Sequence, residues 1–322
     1  MHSTSRSART VSTGTAPLPG APTPAAPTPS TPTPAAPTPT APTPPAGRDA
    51  GARTRRLPRL AAAGLAAGAL LAGGAAPAQA ARPTPVLHPE QDFAGSTVAA
   101  HEGRAGLPDA QSLVTQTKGM DVSSHQGNVA WSTAAANGAR FAYVKATEGT
   151  TYTNPYFTQQ YNGSYNAGLI RGAYHFALPD VSGGAAQANW FVGHGGGWSG
   201  DGKTLPPALD IEYNPYGATC YGLSQSAMVN WIRDFSNTVR SRTGRYPTIY
   251  TTANWWSTCT GNNTGFGSTN PLWVARYASS VGTLPAGWSY QTIWQYADSG
   301  TLPGDQNWFN GAYDRLQALA KG

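Results

Sequence analysis

Two acids, Asp210 and Glu212, close an apolar run, Leu205-Pro-Pro-Ala-Leu-Asp-Ile-Glu212. In a strand, side chains alternate faces, so Asp210 and Glu212 share one face with Ala208 while Leu209 and Ile211 share the other. Two carboxyl groups one strand repeat apart lie about 6–7 Å apart at Cβ. Each raises the other's proton affinity, so one of them is expected to hold its proton near neutral pH. Such a pair suits the cleavage of a glycosidic bond. One group protonates the departing oxygen, and the other acts as nucleophile, as base for water, or as partner to a substrate acetamido group. That use requires both side chains to face an accessible groove. Structural ion pairs with Arg276 or Lys145 are the alternative role.

The elements that would position the pair alternate along residues 118–322. Strands are expected at 119–123, 141–146, 170–176, 207–212, 247–251, 272–277 and 290–296. Helices are expected at 131–137, 156–167 and 185–192. A long helix N-capped by Ser224 should bury Met228, Trp231, Ile232, Phe235 and Val239 and end at Gly244. A last helix should run from Phe309 to Leu319, and the connections between the last three strands show no convincing helix. Alternating β and α units imply a parallel sheet. Seven or eight strands with few late helices imply an α/β fold built as a small, incomplete β/α (TIM-like) barrel; an open doubly wound sheet is the alternative. About 200 residues suffice for one sizeable core. In a barrel, reactive residues belong where strands end, at the carboxyl rim. Asp121, Asp210, Glu212 and Tyr250 all fall at or near such ends.

Upstream the composition changes. Residues 1–52 are a Pro/Thr/Ala-rich tract with too little apolar surface to offset its ordering entropy. Residues 53–80 read as a signal peptide: Arg53-Thr-Arg-Arg-Leu-Pro-Arg59, an Ala/Gly/Leu-rich run, then Ala78-Gln79-Ala80 as cleavage site. Thr54-Arg55-Arg56-Leu57 hints at twin-arginine export, although Pro58 and Arg59 depart from it. Residues 81–117 show no sustained period and read as a linker or propeptide. The formal net charge of +6 lies wholly ahead of residue 81, so the remainder is neutral and offers no basic stripe for nucleic acid. All ten Trp and all 15 Tyr lie from Trp131 onward, a composition suited to stacking on sugar rings. The two cysteines, Cys220 and Cys259, are expected to pair in an exported chain, bracing the loop after Glu212 against the loop after Trp255-Trp256; a reactive thiol is the alternative.

Six blocks, in order, resemble the Chalaropsis-type lysozymes of glycoside hydrolase family 25. They are Gly119-Met-Asp-Val-Ser-Ser-His-Gln-Gly-Asn-Val-Ala-Trp131, Phe141-Ala-Tyr-Val-Lys-Ala-Thr-Glu-Gly149, Arg171-Gly-Ala-Tyr-His-Phe176, Leu209-Asp-Ile-Glu212, Trp273-Val-Ala-Arg-Tyr277 and Ile293-Trp-Gln-Tyr296. The resemblance implies a β/α barrel that cleaves the β-1,4 bond between N-acetylmuramic acid and N-acetylglucosamine in peptidoglycan. It implies Glu212 as proton donor, Asp210 as its support, and Asp121 as a further active-site acid. Asp305, in Gly304-Asp-Gln-Asn-Trp-Phe-Asn-Gly311, matches a fourth acid, but Gly304 stands where the family has an apolar residue and the preceding loop is short. The contexts of Cys220 and Cys259 resemble secreted members with one disulfide there. Family resemblance favours retention of configuration.

Tyr174, Tyr250, Trp273, Tyr277 and Gln295 are candidate substrate contacts, with core packing as the other role. Asp121 could instead cap the turn at Ser123 and Ser124, and Lys145 and Glu148 could pair with each other or pin a rim loop. His125 and His175 read as hydrogen-bonding rim residues. No His/Cys/Asp cluster has ligand spacing, so neither a metal nor any other cofactor is expected. Gly197-Trp-Ser-Gly-Asp-Gly-Lys-Thr204 fits the P-loop pattern in letters, but Pro206-Pro207 forbids the helix such a loop must open. The expected product is a secreted, bacteriolytic muramidase that is monomeric, not membrane-held, and acts on peptidoglycan glycan strands. A chitin-directed glycosidase and a non-catalytic wall-binding module are the alternatives; a wall amidase is disfavoured by the lack of zinc ligands.

Overall fold

Short apolar runs bounded by glycine, proline and asparagine form the strands of this chain, and their alternation decides which side chains face inward. The structure, a computed structural model, describes residues 87–106 and 115–322. The 1–52 tract and the 53–80 export signal lie outside the described residues. The strands are β1 Thr117–Val122, β2 Phe141–Glu148, β3 Tyr152–Thr153, β4 Ile170–Phe176, β5 Ala208–Asp210, β6 Thr248–Thr251, β7 Leu272–Ala275, β8 Ile293–Ala297 and β9 Asp305–Phe309. Strands β1, β2 and β4 to β8 run parallel in that order, and β9 closes the circle by pairing antiparallel with both β8 and β1. Eight strands thus make a closed barrel, and β3 adds a two-residue antiparallel flap to β2.

The expected barrel is present, with three local differences. The closing strand β9 was not expected as a strand: it is antiparallel and follows a short turn, so no helical period marks it. Its residues include Phe309, so the last helix begins later, at Tyr313. A helix, Ala253–Thr260, does lie between β6 and β7, capped by the Thr252 side chain on the Trp255 amide. Between β7 and β8, and between β8 and β9, the chain returns without a helix. The barrel is therefore closed in its strands and incomplete in its helices.

In order, the helices are α1 Val98–Glu102, α2 Trp131–Ala136, α3 Phe157–Asn166, α4 Gly184–Gly193, α5 Gln225–Thr243, α6 Ala253–Thr260 and α7 Tyr313–Lys321. Ser224 caps α5, accepting from the Ala227 amide, and the apolar stripe at Met228, Trp231, Ile232, Phe235 and Val239 is buried. Leu209 and Ile211 on β5 join that stripe in one cluster with Phe191 of α4 and Trp255 and Trp256 of α6. Ala208, on the other face, joins the barrel interior with Phe141, Tyr143, Tyr174, Tyr250 and Trp273. Tyr143 stacks on Trp273 at 4.8 Å, and Tyr250 meets it edge-on at 4.7 Å. These rings fill much of the barrel interior.

Cys220 and Cys259 are joined, with Cα atoms 5.3 Å apart. The bond ties the loop after β5 to α6 itself rather than to a loop, since Cys259 lies within that helix. Closing a loop with a sequence separation of 39 limits the unfolded chain and contributes about 4 kcal/mol in the chain-entropy account. Replacing both cysteines with alanine should lower stability by about 2–4 kcal/mol. Thermal unfolding of the double variant beside the oxidised chain checks this; equal melting temperatures would contradict it.

Candidate active site

Strand β5 ends at Asp210, and the extended chain carries Glu212 two residues further. Both are 1% exposed. Because Ala208 faces the barrel interior and Leu209 faces the helices, Asp210 rises on the interior face above the aromatic floor. Neither Asp210 oxygen has a hydrogen-bond partner among the described residues. The ion pairs weighed for this pair are not formed. Lys145 instead pairs with Glu148 at 2.7 Å, both fully buried. A bulge between Lys145 and Thr147 lets Glu148 fall on the same side as Lys145.

Across the barrel, β1 and β9 place Asp121 directly opposite Asp305. The Gln295 amide of β8 lies between them, donating 3.0 Å to Asp121 Oδ2 and 3.1 Å to Asp305 Oδ2. Asn307, two residues along β9 from Asp305 and so on the same face, donates to Asp121 at 2.7 Å. Its Oδ1 accepts from Trp273 Nε1 at 2.7 Å. The hydroxyls of Tyr250 and Tyr277 donate to Gln295 Oε1 at 2.8 and 3.0 Å. Gln295 is therefore held from both ends and holds both acids. The glycine at 304 has a steric cause: its φ is +70°, and a Cβ there would lie 2.1 Å from the Asp121 carbonyl oxygen. Gly304 keeps β9 close enough to β1 for Asp305 to reach the rim.

Burial dominates the ionisation of this cluster. It pushes Glu212 up to about 7, against hydrogen bonds from Thr97 and Gly95 that favour the carboxylate. It pushes Asp121 up to about 7, against the donors Gln295 and Asn307. Asp210 is raised well above the ordinary carboxyl range by burial and then by the Glu212 charge, and Asp305 by burial and then by Asp121. Four carboxyl groups with few compensating cations favour shared protons over four charges.

Of the sequence-derived candidates, Glu212, Asp210, Asp121, Asp305, Tyr174, Tyr250, Tyr277 and Gln295 come together at one end of the barrel. Trp273 lies lower, enclosed by Tyr143, Tyr250 and Asn307 as part of the floor. His175 departs from the expected rim position. It faces outward, buried between Thr147 and Gln187 and stacked on Phe235, and burial pushes its pKa down to about 3. Asn307 was not singled out from the sequence; the period-two spacing from Asp305 carries that signal once β9 is known to be a strand. Among the described residues no group of His, Cys, Asp and Glu could hold a metal ion.

The expected open groove is covered. Residues 87–106, part of the stretch read as linker or propeptide, lie across the rim. The Gly95 amide donates to Glu212 Oε1 at 2.7 Å, and the Thr97 hydroxyl donates to Glu212 Oε2. The Gly95 carbonyl accepts from Tyr277, the Ala94 carbonyl from Gln295, and the Ala94 amide meets the Tyr174 hydroxyl. Composition hides this placement because the contacts are mostly made by backbone groups, which every residue carries.

Comparison with known proteins agrees with this geometry. Residues 120–305 match the model of Glycosyl hydrolases family 25. The chain is 53% identical over 209 residues to N,O-diacetylmuramidase of Chalaropsis sp, covering 64% of this chain and 99% of that protein. It is 44% identical over 283 residues to Lysozyme M1 of Streptomyces globisporus, covering 84% of this chain and 96% of that protein. A solved family GH25 lysozyme from Aspergillus fumigatus superposes with a TM-score of 0.64 at 53% identity, over 65% of this chain and 100% of that one. With more than half its length matched by the family model and its relatives covered almost whole, the chain belongs to glycosyl hydrolase family 25.

Proposed function

We propose that this glycoside hydrolase is an exported lysozyme that cleaves the β-1,4 bond between N-acetylmuramic acid and N-acetylglucosamine in peptidoglycan. The observation that carries the reading is the pairing on one strand end of a buried, hydrogen-bonded Glu212 with an Asp210 whose oxygens have no protein partner. Relatives named as muramidases and lysozymes, matched over nearly their whole length, support the choice of bond. The 53–80 signal reading and the disulfide support export, since such bonds persist in oxidising compartments.

Glu212 is the proton donor. With its acid form retained up to about pH 7, it protonates the glycosidic oxygen as the bond to C1 breaks. The 2-acetamido oxygen of the same sugar bonds to C1, and its N–H turns to Asp210, the acceptor left free by the fold. Water then attacks C1, Glu212 takes the water's proton, and the acetamido oxygen leaves. Two displacements at C1 give net retention. Asp121 and Asp305 lie on the opposite wall with Gln295 and favour positive charge developing between the walls. Tyr174, Tyr250, Tyr277 and Gln295 serve as sugar contacts, and Trp273 supports them from below.

Glu212→Gln should lower peptidoglycan hydrolysis by about 10²–10⁴-fold relative to the parent chain. Mass spectrometry of the digest should find muramic acid at reducing ends only with the parent chain. Lysis by the variant at the parent rate would remove Glu212 from the donor role. An NMR time course should show the retained anomer first; the inverted anomer would exclude assistance by the acetamido group.

The raised carboxyl pKa values also set a pH dependence. Glu212 loses its acid form as pH rises through about 7, so kcat/KM should fall over that interval. Stability follows the same direction. Glu212 and Asp121 bind protons more tightly folded than unfolded, so their contribution is full below about pH 4 and lost as pH rises through about 7. Melting temperatures at pH 5 should exceed those at pH 8, and Asp121→Asn should flatten the difference. An unchanged slope in that variant would show that the group titrates normally.

A further inference from the structure

We propose that residues 87–106 are a built-in inhibitor, so that the chain is made with its active site closed and becomes a hydrolase when this segment is displaced or removed. The inference rests on the reading of the Glu212 rim as the active site. The segment crosses that rim from one side to the other. At one end, Lys145 Nζ holds the carbonyls of Pro89 and Asp92 at 2.9 and 2.6 Å, and the Tyr216 hydroxyl bonds the Asp92 carboxylate. In the middle, Ala94 and Val98 are fully buried, and Gly95 and Thr97 occupy both oxygens of Glu212. In the last turn of α1, His101 stacks on Tyr213 at 4.0 Å and the Tyr213 hydroxyl donates to Glu102 at 2.8 Å. At the far end, Arg104 pairs with Asp298, and the Ala105 amide donates to the Tyr277 carbonyl at 2.7 Å.

Two physical points favour inhibition over a permanent structural role. A proton donor that is 1% exposed, with both oxygens engaged, cannot reach the linking oxygen of a glycan strand. And the barrel closes through its own eight strands without help from this segment, whose only ladder contact among the described residues is the bridge from Ala105 to Ala278. A solved relative is covered whole by 65% of this chain, about the length of Thr117–Gly322, so a chain of that length makes a full fold. Gly95 is the point of closest fit. Its φ is +98°, and a Cβ there would lie 2.1 Å from the Tyr277 hydroxyl and 2.6 Å from Gln295 Oε1. A side chain at 95 therefore strains the segment's backbone and collides with the Tyr277 and Gln295 side chains, which disfavours the closed position without substituting any barrel residue.

The test compares the full chain with Gly95→Val and, independently, Val98→Asp, which puts a charge where a fully buried valine sits. Hydrogen exchange should show residues 87–106 protected in the parent and exposed in both variants. Peptidoglycan hydrolysis should rise by about tenfold or more, because a site closed nine-tenths of the time leaves one-tenth of the molecules competent. Rapid exchange of the segment in the parent, or parent-rate hydrolysis by variants whose segment is exposed, would overturn the proposal. Sedimentation with insoluble peptidoglycan, using Glu212→Gln chains with and without Gly95→Val, reads occlusion without catalysis. Retention only by the opened chain supports inhibition even if no chain hydrolyses the wall, an outcome that would overturn the lysozyme reading alone. Equal retention would overturn inhibition alone.

Discussion

Desolvation of carboxyl groups is the constraint on which the rest of this molecule depends. Asp121, Asp210, Glu212 and Asp305 converge on one end of a barrel whose lower half is packed with aromatic rings, and no cation pairs with them directly. Leaving such groups charged without donors is costly in a poorly solvated site. The surrounding residues follow from that cost. The Gln295 amide nitrogen lies within hydrogen-bond reach of Asp121, Asp305 and the Ala94 carbonyl, and its oxygen accepts from tyrosine hydroxyls. Asn307 links Asp121 to the indole of Trp273, so the floor positions the wall above it. Of these four acids, Asp210 alone is left without a donor among the described residues.

The same constraint connects the cleft to the segment that covers it. Glu212 gains two donors from Gly95 and Thr97, and the carbonyls of Ala94 and Gly95 lie within hydrogen-bond reach of the Gln295 amide and the Tyr277 hydroxyl. The segment thus meets the polar demands of the rim with backbone groups. Lys145 supplies a second anchor: its charge is balanced by Glu148, and its remaining donors fall on two segment carbonyls. The disulfide lies behind this rim, tying the loop that follows Glu212 to α6, so the acid-bearing loop is braced from its helical side.

The parallel strands of the barrel were legible up to β8 because each is buried on both faces, and α5 announces itself by an apolar stripe from Met228 to Val239. Beyond β8 the pattern is weaker. Strand β9 alternates polar residues inward, Asp305 and Asn307, with Gln306 and Trp308, a sequence that reads as loop until β1 and β8 are seen on either side. Helix α6 was missed because its eight residues, rich in Trp and Thr, have low intrinsic helix preference and rely on the Thr252 cap and on burial of Trp255 and Trp256. His175 was misplaced because a strand that is buried on both faces gives no local cue to which face holds the polar residue.

By itself, the sequence determined the identity and chain spacing of the acids, the alternation that puts Asp210 on the opposite face from Leu209, and the pairing partners for a disulfide. These are local properties, set by side-chain chemistry and by the period of a strand. Tertiary structure alone decided that Asp121 faces Asp305, that Gln295 bridges them, that Lys145 turns to Glu148 and not to Asp210, and that residues 87–106 close the rim. Apart from Lys145 and Glu148, which are three residues apart and were already a possible pair in the sequence, these features join groups far apart in the chain through strand register and hydrogen bonds, and none of them leaves a trace in composition or periodicity.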